Sequence, residues 1–449
     1  MRVSFGTDGV RGRANTELTP ELVLLLGRAA ARVIGAPRFL VGRDTRISGP
    51  LLQAALSAGL ASEGADVVDL GVIPTPAVAA LAADAGAAAV VVSASHNPFP
   101  DNGIKVFAVG GTKLDDAVER RIEDEVAAIS AGPESPRPDA AAVGRMVSDP
   151  GAAGRYLARL AAALEGRRLD GLRVVVDCAN GAASAIAGPL LEGLGAVVVV
   201  HAASPDGTNI NDGCGSTDPG ELARLVVENG ADAGLALDGD ADRVVAVDEN
   251  GALVDGDHVM ALCAVDLRRR GLLRGDTVAV TVMTNLGFRR AMEAAGIEVH
   301  ETPVGDRYIF AALTEHDWVL GGEPSGHVIL RHLAPSGDGL LTGLVLLDLV
   351  VRSGASLGRL AGSAMTRMPQ VLRNVRVADL SGLAGATAVW DAVRLTEERL
   401  AGKGRVLLRA SGTEPLVRVM VEADDEGLAQ ATAGSLCEVV EQTLGAARA

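Results

Sequence analysis

The 449 residues carry 41 Lys and Arg against 57 Asp and Glu, a formal net charge of −16, which argues against a nucleic-acid or anionic-membrane surface. Hydrophobic residues make up 48% but aromatics only 2%, so the core must be built mainly from Val, Leu, Ile and Ala. No apolar run reaches the ~18 residues of a membrane helix, and Met1–Val10 holds no apolar signal segment; a cytoplasmic protein of about three or four domains is expected. Cys178, Cys214, Cys263 and Cys437 form no C-x-x-C pair and read as reduced core thiols, not zinc ligands or disulfides.

The chain opens on Phe5-Gly6-Thr7-Asp8-Gly9-Val10-Arg11-Gly12, a glycine-rich loop with Arg11 as a candidate anion contact or a plain surface arginine. Thr19-Pro20 then caps a helix running to Ile34. From residue 38 one pattern occurs three times. The first copy has strand Arg38–Val41, a loop with Gly42-Arg43-Asp44, helix Pro50–Glu63, strand Ala65–Gly71 and helix Thr75–Ala85. It closes with the apolar strand Ala87–Val92 and the stretch Ser93-Ala94-Ser95-His96-Asn97-Pro98. Pro98, Pro100 and Asp101-Asn102-Gly103 carry turn chemistry and read as loop.

The second copy has strand Leu172–Asp177, a helix to Leu194, strand Ala196–His201, a long loop Ser204–Ser216 and helix Pro219–Asn229. Its closing strand Ala233–Leu237 ends at Asp238-Gly239-Asp240-Ala241-Asp242-Arg243. The third has strand Thr277–Thr281, helix Gly287–Ala295, strand Ile297–His300 and helix Asp306–Thr314. Its closing strand Trp318–Leu320 ends at Gly321-Gly322-Glu323-Pro324-Ser325-Gly326-His327. Strands alternating with helices imply parallel sheets of βαβ units. The expected fold is therefore α/β: three sister domains with mixed, mostly parallel sheets. The tail changes grammar, with helix Ala386–Leu400, strands Gly404–Leu408 and Leu416–Glu422, and a helix after Glu426, so a smaller α+β domain is expected there. Candidate linkers are Gly132–Pro138 and the region around Met368-Pro369-Gln370.

In open α/β sheets ligands gather where parallel strands end, and each copy places its most polar, glycine-rich segment there. Asp238, Asp240 and Asp242 are spaced by two, which in extended chain puts three carboxylates on one side. Like charges so close repel unless a cation neutralises them, and carboxylate oxygens suit a hard cation, Mg²⁺ above all beside a phosphate. A solvated acidic turn is the plainer alternative. With Glu249 the spacing also matches an EF-hand loop, but Arg243 stands where the turn requires Gly, and Val244–Val247 continues as strand. Arg409-Ala410-Ser411-Gly412-Thr413 suits a phosphate clamp, with Arg418 on the returning strand, or is an ordinary hairpin turn. Glu323, Ser325 and His327 could hydrogen-bond sugar hydroxyls or serve a structural loop. There is no G-x-S-x-G elbow, Walker loop or Rossmann fingerprint. A serine beside three carboxylates points to phosphoryl chemistry instead.

Together these stretches resemble the α-D-phosphohexomutase superfamily, in particular its bacterial phosphoglucosamine mutase branch, over essentially the whole chain from Phe5 to Glu422. The resemblance implies that Ser95 is the phosphoserine and that Asp238, Asp240 and Asp242, with the Ser95 phosphate, hold Mg²⁺. It implies catalytic roles for Arg11, Lys105, Arg243 and His327, and a sugar-recognition loop of Glu323, Ser325 and His327. It also implies a phosphate-binding loop of Arg409, Ser411, Gly412, Thr413 and Arg418. Val304-Gly305-Asp306-Arg307-Tyr308 resembles the glucosamine branch, with Gly305 as a substrate contact. Pro324, Ala241 and Ala410 depart from the usual residues at motif positions that point away from ligand in the family. The implied layout is domains 1–150, 151–255, 256–368 and 369–449 around a central cleft. The implied activity interconverts glucosamine 6-phosphate and glucosamine 1-phosphate, with sugar phosphates as partners and a monomer or homodimer as the assembly. A phosphomannomutase or phosphoglucomutase, or a non-catalytic sugar-phosphate binder, are the alternatives.

Overall fold

The computed structural model describes residues 3–6, 8–132, 137–378, 380–411 and 416–445. The chain forms two compact units, Met1–Met283 with Gly296–Ala364 and Thr284–Ala295 with Met365–Ala449. The first unit holds three sheets of one design. The first sheet comprises β1 (Val10–Arg13), β2 (Arg38–Arg43), β3 (Asp66–Val72), β4 (Ala88–Val92), β5 (Asp101–Phe107) and β6 (Met146–Ser148). The second comprises β7 (Arg173–Asp177), β8 (Val197–His201), β9 (Ala233–Leu237), β10 (Val244–Asp248) and β11 (Leu253–Val254). The third comprises β12 (Thr277–Thr281), β13 (Glu298–Thr302), β14 (Leu320–Gly322) and β15 (Val328–Leu330).

In each sheet three parallel strands lie side by side in the same order: β3-β2-β4, β8-β7-β9 and β13-β12-β14. Each third strand turns back into an antiparallel partner, β5, β10 or β15. The threefold repetition in sequence is thus a threefold repetition of topology. Strands β4, β9 and β10 are buried at every position, as strands covered on both faces must be. The three polar segments of the sequence occupy one equivalent place, the turn between the last parallel strand and its antiparallel return.

The structure corrects two loop expectations in the first sheet. Asp101-Asn102-Gly103 opens β5, and the glycine-rich N-terminal stretch becomes β1 from Val10. The two strands pair with each other, Val10 opposite Ile104 and Arg13 opposite Asp101. Long-range pairing outweighs turn propensity here. The glycine serves close approach instead: a Cβ at Gly103 would lie 2.5 Å from the Ser93 carbonyl oxygen.

The second unit carries an antiparallel sheet in the order β16-β18-β17, formed by β16 (Gln370–Arg376), β17 (Gly404–Ala410) and β18 (Leu416–Ala423). Gln370, placed in a linker by its neighbouring proline, already belongs to β16, opposite Glu422. Helices Thr387–Leu400 and Glu426–Leu444 supply Val389, Val393, Leu436 and Val440 to the core under this sheet. Helix Leu286–Ala294 also belongs to this unit. Asn285 at its cap donates to Met368 O and Glu422 Oε1, both at 3.0 Å, and accepts from Met368 N at 2.9 Å.

Among the described residues no single helix is long and apolar enough to cross a membrane. The apolar helix Gly339–Ser353 is buried along most of its length in the first unit. Its cap Asp338 accepts from Leu341 N at 2.9 Å and from the Tyr156 hydroxyl at 2.8 Å. Burial pushes this carboxyl up to about 6, against the cap and Tyr156 bonds that favour its ionised form. A carboxyl raised on folding contributes stability below its unfolded pKa and loses it as pH rises through the folded value. Asp338→Asn is therefore expected to gain about 1–3 kcal/mol over the wild type at pH ~8, with the gain vanishing towards pH ~4. Denaturant midpoints of both proteins across that range check this.

Candidate active site

Ser95 lies in the β4–β5 turn, fully buried, with a left-handed backbone at φ 53°. For a residue with a Cβ this is strained and must be held by its surroundings. Its N–H donates to Ser93 Oγ at 3.0 Å, and its carbonyl accepts from Arg46 Nη2 and Asn211 Nδ2, each at 2.9 Å. Its hydroxyl donates to Asp238 Oδ2 at 2.5 Å and lies 3.3 Å from His96 Nδ1. Burial, with the Arg243 and Arg11 charges, pushes His96 down to about 4, so the imidazole beside Ser95 is neutral at pH 7.

Asp238, Asp240 and Asp242 line the β9–β10 turn, all buried, with one carboxylate oxygen of each within 4.8 Å of the others. They converge for a different reason from the expected strand alternation. The chain turns here, with Ala241 at φ 57° and its N–H bonded to Asp238 O at 3.0 Å. Burial, with repulsion from Asp242 and Asp240, raises the Asp238 carboxyl well above its usual range. Asp240 Oδ2 accepts from Thr75 Oγ1 at 2.6 Å and Lys105 Nζ at 2.7 Å. Asp240 Oδ1 and Asp242 Oδ1 are buried acceptors with no hydrogen-bond partner. Unsatisfied buried carboxylate oxygens beside a third carboxylate fit a divalent cation, whose charge would offset both repulsion and desolvation. The EF-hand geometry is absent: Glu249 Oε2 accepts from Gly358 N at 2.9 Å, and residues Val244–Asp248 form β10.

A closed ring of alternating charge passes through Asp242 of the triad. Asp8 meets Lys105 at 2.9 Å, Lys105 meets Asp242 at 3.3 Å, and Asp242 lies 3.7 Å from His327. His327 lies 3.2 Å from Asp306, Asp306 meets Lys113 at 2.7 Å, and Lys113 returns to Asp8 at 2.8 Å. Burial opposes the charge on His327, but Asp306 and Asp242 outweigh it and hold the imidazole up at about 9. Burial likewise opposes the charge on Lys105, and Asp240, Asp242 and Asp8 keep the ammonium well above its usual range. Arg11 pairs with Asp8 at 2.5 Å and reaches Asn97 Oδ1 at 3.3 Å. Arg243 donates its backbone N–H to Asp238 Oδ1 at 3.2 Å, and its Nε lies 3.8 Å from Asp242.

The β14–β15 turn brings the third segment together. Glu323 accepts from Gly305 N at 3.2 Å and from Ser325 Oγ at 3.4 Å, and its N–H donates to His327 O at 3.0 Å. Gly305, at φ 130°, starts helix Asp306–Glu315 in a conformation that suits glycine alone. In the second unit, Arg409 on β17 stands directly opposite Arg418 on β18. Like charges facing across a strand pair repel, and burial, with Arg418, pushes the Arg409 guanidinium down. An anion between them would reverse that cost. Ser411 is buried next to this pair, whereas Gly412 and Thr413 lie outside the described residues.

Four consecutive family models match the chain. They are Phosphoglucomutase/phosphomannomutase alpha/beta/alpha domain I (residues 2–132), domain II (154–251) and domain III (255–368), and the C-terminal domain (372–439). The chain belongs to the phosphoglucomutase/phosphomannomutase family. Within it, the phosphoglucosamine mutase of Frankia alni is 53% identical over 99% of this chain and 99% of its own length. That of Saccharopolyspora erythraea is 54% identical over 97% of this chain and 98% of its own. A solved phosphoglucomutase/phosphomannomutase family protein from Burkholderia thailandensis shares the fold with a TM-score of 0.81, at 24% identity, over 98% of each chain.

For a phosphohexomutase, the site includes residues that sequence patterns do not single out. Arg46, Lys113 and Asn211 sit in loops, and Thr75 opens helix Thr75–Ala85, where the local sequence looks structural. The available signal was position. Arg46 follows the end of β2 and Thr75 the end of β3, the same sheet edge that carries Ser95.

Proposed function

We propose that this chain is a phosphoglucosamine mutase that interconverts glucosamine 6-phosphate and glucosamine 1-phosphate, the step that feeds UDP-N-acetylglucosamine and cell-wall synthesis. The observation that carries this reading is the Ser95 hydroxyl 2.5 Å from Asp238 in a buried triad, in a chain over half identical to phosphoglucosamine mutases along nearly its whole length. Such an enzyme works in the cytoplasm.

In this reading Ser95 carries a phosphoryl group. The O1 hydroxyl of glucosamine 6-phosphate attacks phosphorus, the P–Oγ bond breaks and a 1,6-bisphosphate forms. The bisphosphate turns over in the site, and Ser95 Oγ attacks the O6 phosphoryl, breaking the P–O6 bond and releasing glucosamine 1-phosphate. The halves are chemically symmetric, so the proton released in one is taken up in the other. Asp238, Asp240 and Asp242, with the phosphate on Ser95, would hold Mg²⁺, which supplies charge neutralisation at the phosphoryl oxygens. Lys105, Arg11 and Arg243 offer the cationic groups that stabilise the transferring phosphoryl. His327, protonated at neutral pH, can hydrogen-bond a sugar or phosphoryl oxygen. Glu323, Ser325 and Gly305 would read the sugar hydroxyls.

Arg409, Ser411, Gly412, Thr413 and Arg418 would grip the phosphate that is not reacting. Arg409→Ala is expected to raise KM for glucosamine 6-phosphate roughly 10- to 100-fold, the loss of one charge-assisted hydrogen bond or two. Phosphorylation of Ser95 by excess bisphosphate should survive in part. An unchanged KM would remove Arg409 from the substrate site. The function itself is tested by comparing turnover of glucosamine, mannose and glucose 6-phosphates with Mg²⁺ present. The glucosamine compound should be preferred, and a higher kcat/KM for mannose or glucose phosphate would overturn the assignment.

A further inference from the structure

We infer that Arg46 and Asn211 are positioning residues for phosphoryl transfer, holding the Ser95 backbone in the left-handed turn that aims its hydroxyl at the acidic triad. The inference rests on the reading of Ser95 as the phosphoacceptor. Arg46 is only 1% exposed, and burying a guanidinium is costly unless every donor is used. Here every donor is used. Nε pairs with Asp44 Oδ2 at 2.9 Å. Nη2 donates to Ser95 O at 2.9 Å and Asn97 O at 2.7 Å, and Nη1 to Pro98 O at 2.5 Å and Asp101 O at 3.1 Å. One side chain thus pins four carbonyls of the β4–β5 turn.

Asn211 comes from the loop after β8, in the second sheet's domain, and binds two of the same carbonyls. Its amide donates to Ser95 O at 2.9 Å and Asn97 O at 3.1 Å. The amide side of Ser95 is fixed by the same network. Ser95 N donates to Ser93 Oγ at 3.0 Å, and Ser93 Oγ donates at 2.6 Å to Asp44 Oδ2, the oxygen that pairs with Arg46. The hydrogen bonds therefore close a circuit through Arg46, Asp44, Ser93 and Ser95. It gives the first serine of the Ser-Ala-Ser stretch a role distinct from that of the second. Gly239 closes the remaining side: a Cβ there would lie 2.6 Å from Ser95 O and 2.9 Å from Asn211 Nδ2. The metal-loop backbone thus abuts the carbonyl that Arg46 and Asn211 hold.

Because all five guanidinium N–H groups and the Asn211 amide are spent on protein carbonyls and Asp44, neither residue has a donor left for substrate. Their effect must pass through Ser95, so it belongs in kcat and not in KM. The test uses the full-length protein with glucosamine 6-phosphate, measuring kcat, KM and thermal midpoint for Asn211→Ala, Arg46→Lys and, as control, Ser95→Ala. Asn211→Ala is expected to lower kcat roughly 10- to 100-fold with KM within about twofold, the usual cost of a small misplacement of a reacting group. Arg46→Lys keeps the charge but loses at least two donors, and should lower kcat further. Wild-type kcat in folded Asn211→Ala, or a raised KM with kcat unchanged, overturns the inference. If Arg46→Lys fails to fold, Asn211→Ala decides alone. Turnover by Ser95→Ala is a separate failure: it would overturn the phosphoserine reading and this inference with it.

Discussion

Ser95→Ala is expected to lower mutase turnover by at least roughly 1,000-fold, because the variant has no oxygen to carry the phosphoryl group between the two halves of the reaction. The fold should survive. The lost atom makes only the bond to Asp238 and the contact to His96, while the backbone of the turn keeps its bonds to Ser93, Arg46 and Asn211. A thermal midpoint close to the wild type, measured beside the turnover assay, separates loss of chemistry from loss of structure. Retained turnover would mean that another group carries the phosphoryl.

Asp240→Asn should be nearly as damaging, and the structure changes what it does to stability. Three adjacent carboxylates suggest from sequence that removing one charge would relieve repulsion in the metal-free protein. The structure shows Asp240 holding the buried ammonium of Lys105 at 2.7 Å and accepting from Thr75 at 2.6 Å. Neutralising it weakens a buried ion pair, leaving Lys105 to Asp8 and Asp242 alone. Metal-free stability should therefore fall by about 1–3 kcal/mol. Turnover should fall well over tenfold, since the variant also lacks one charged ligand for the cation. Calorimetric titration with Mg²⁺ and denaturant unfolding in chelator check the two halves. Greater stability in chelator would show that repulsion among the aspartates outweighs the Lys105 pair.

The parts of this site legible in sequence are those whose chemistry is local. Ser95, the three aspartates and the Glu323–His327 segment announce themselves because each follows an apolar closing strand and packs several polar residues into a short turn. What brings them together is not local. Asp101–Gly103 has the composition of a turn, and only its pairing with Val10–Arg13 makes it a strand. Arg46 reads as a loop residue until the fold lays four carbonyls around it. Spacing by two suggests a shared strand face for the aspartates, yet they converge because Ala241 takes a left-handed turn. Helix Leu286–Ala294 follows β12 in the βα pattern, yet Asn285 at its cap bonds to Met368 and Glu422 of the C-terminal unit. A truncation after residue 370 would strip that helix of Glu422, so point substitutions test the C-terminal residues more cleanly.

The route of the phosphoryl group distinguishes a phospho-Ser95 mutase from any other reading of this site, and labelled substrate follows it directly. Glucosamine 6-phosphate carrying an isotopic label in its phosphoryl group is turned over by the full-length protein with Mg²⁺, and the protein's phosphopeptides are then mapped. The first product should carry an unlabelled phosphoryl taken from the enzyme, while the label moves from O6 to Ser95. Label on Ser93 with none on Ser95, or labelled glucosamine 1-phosphate released in the first turnover from a protein with no phosphate on Ser95, would contradict it.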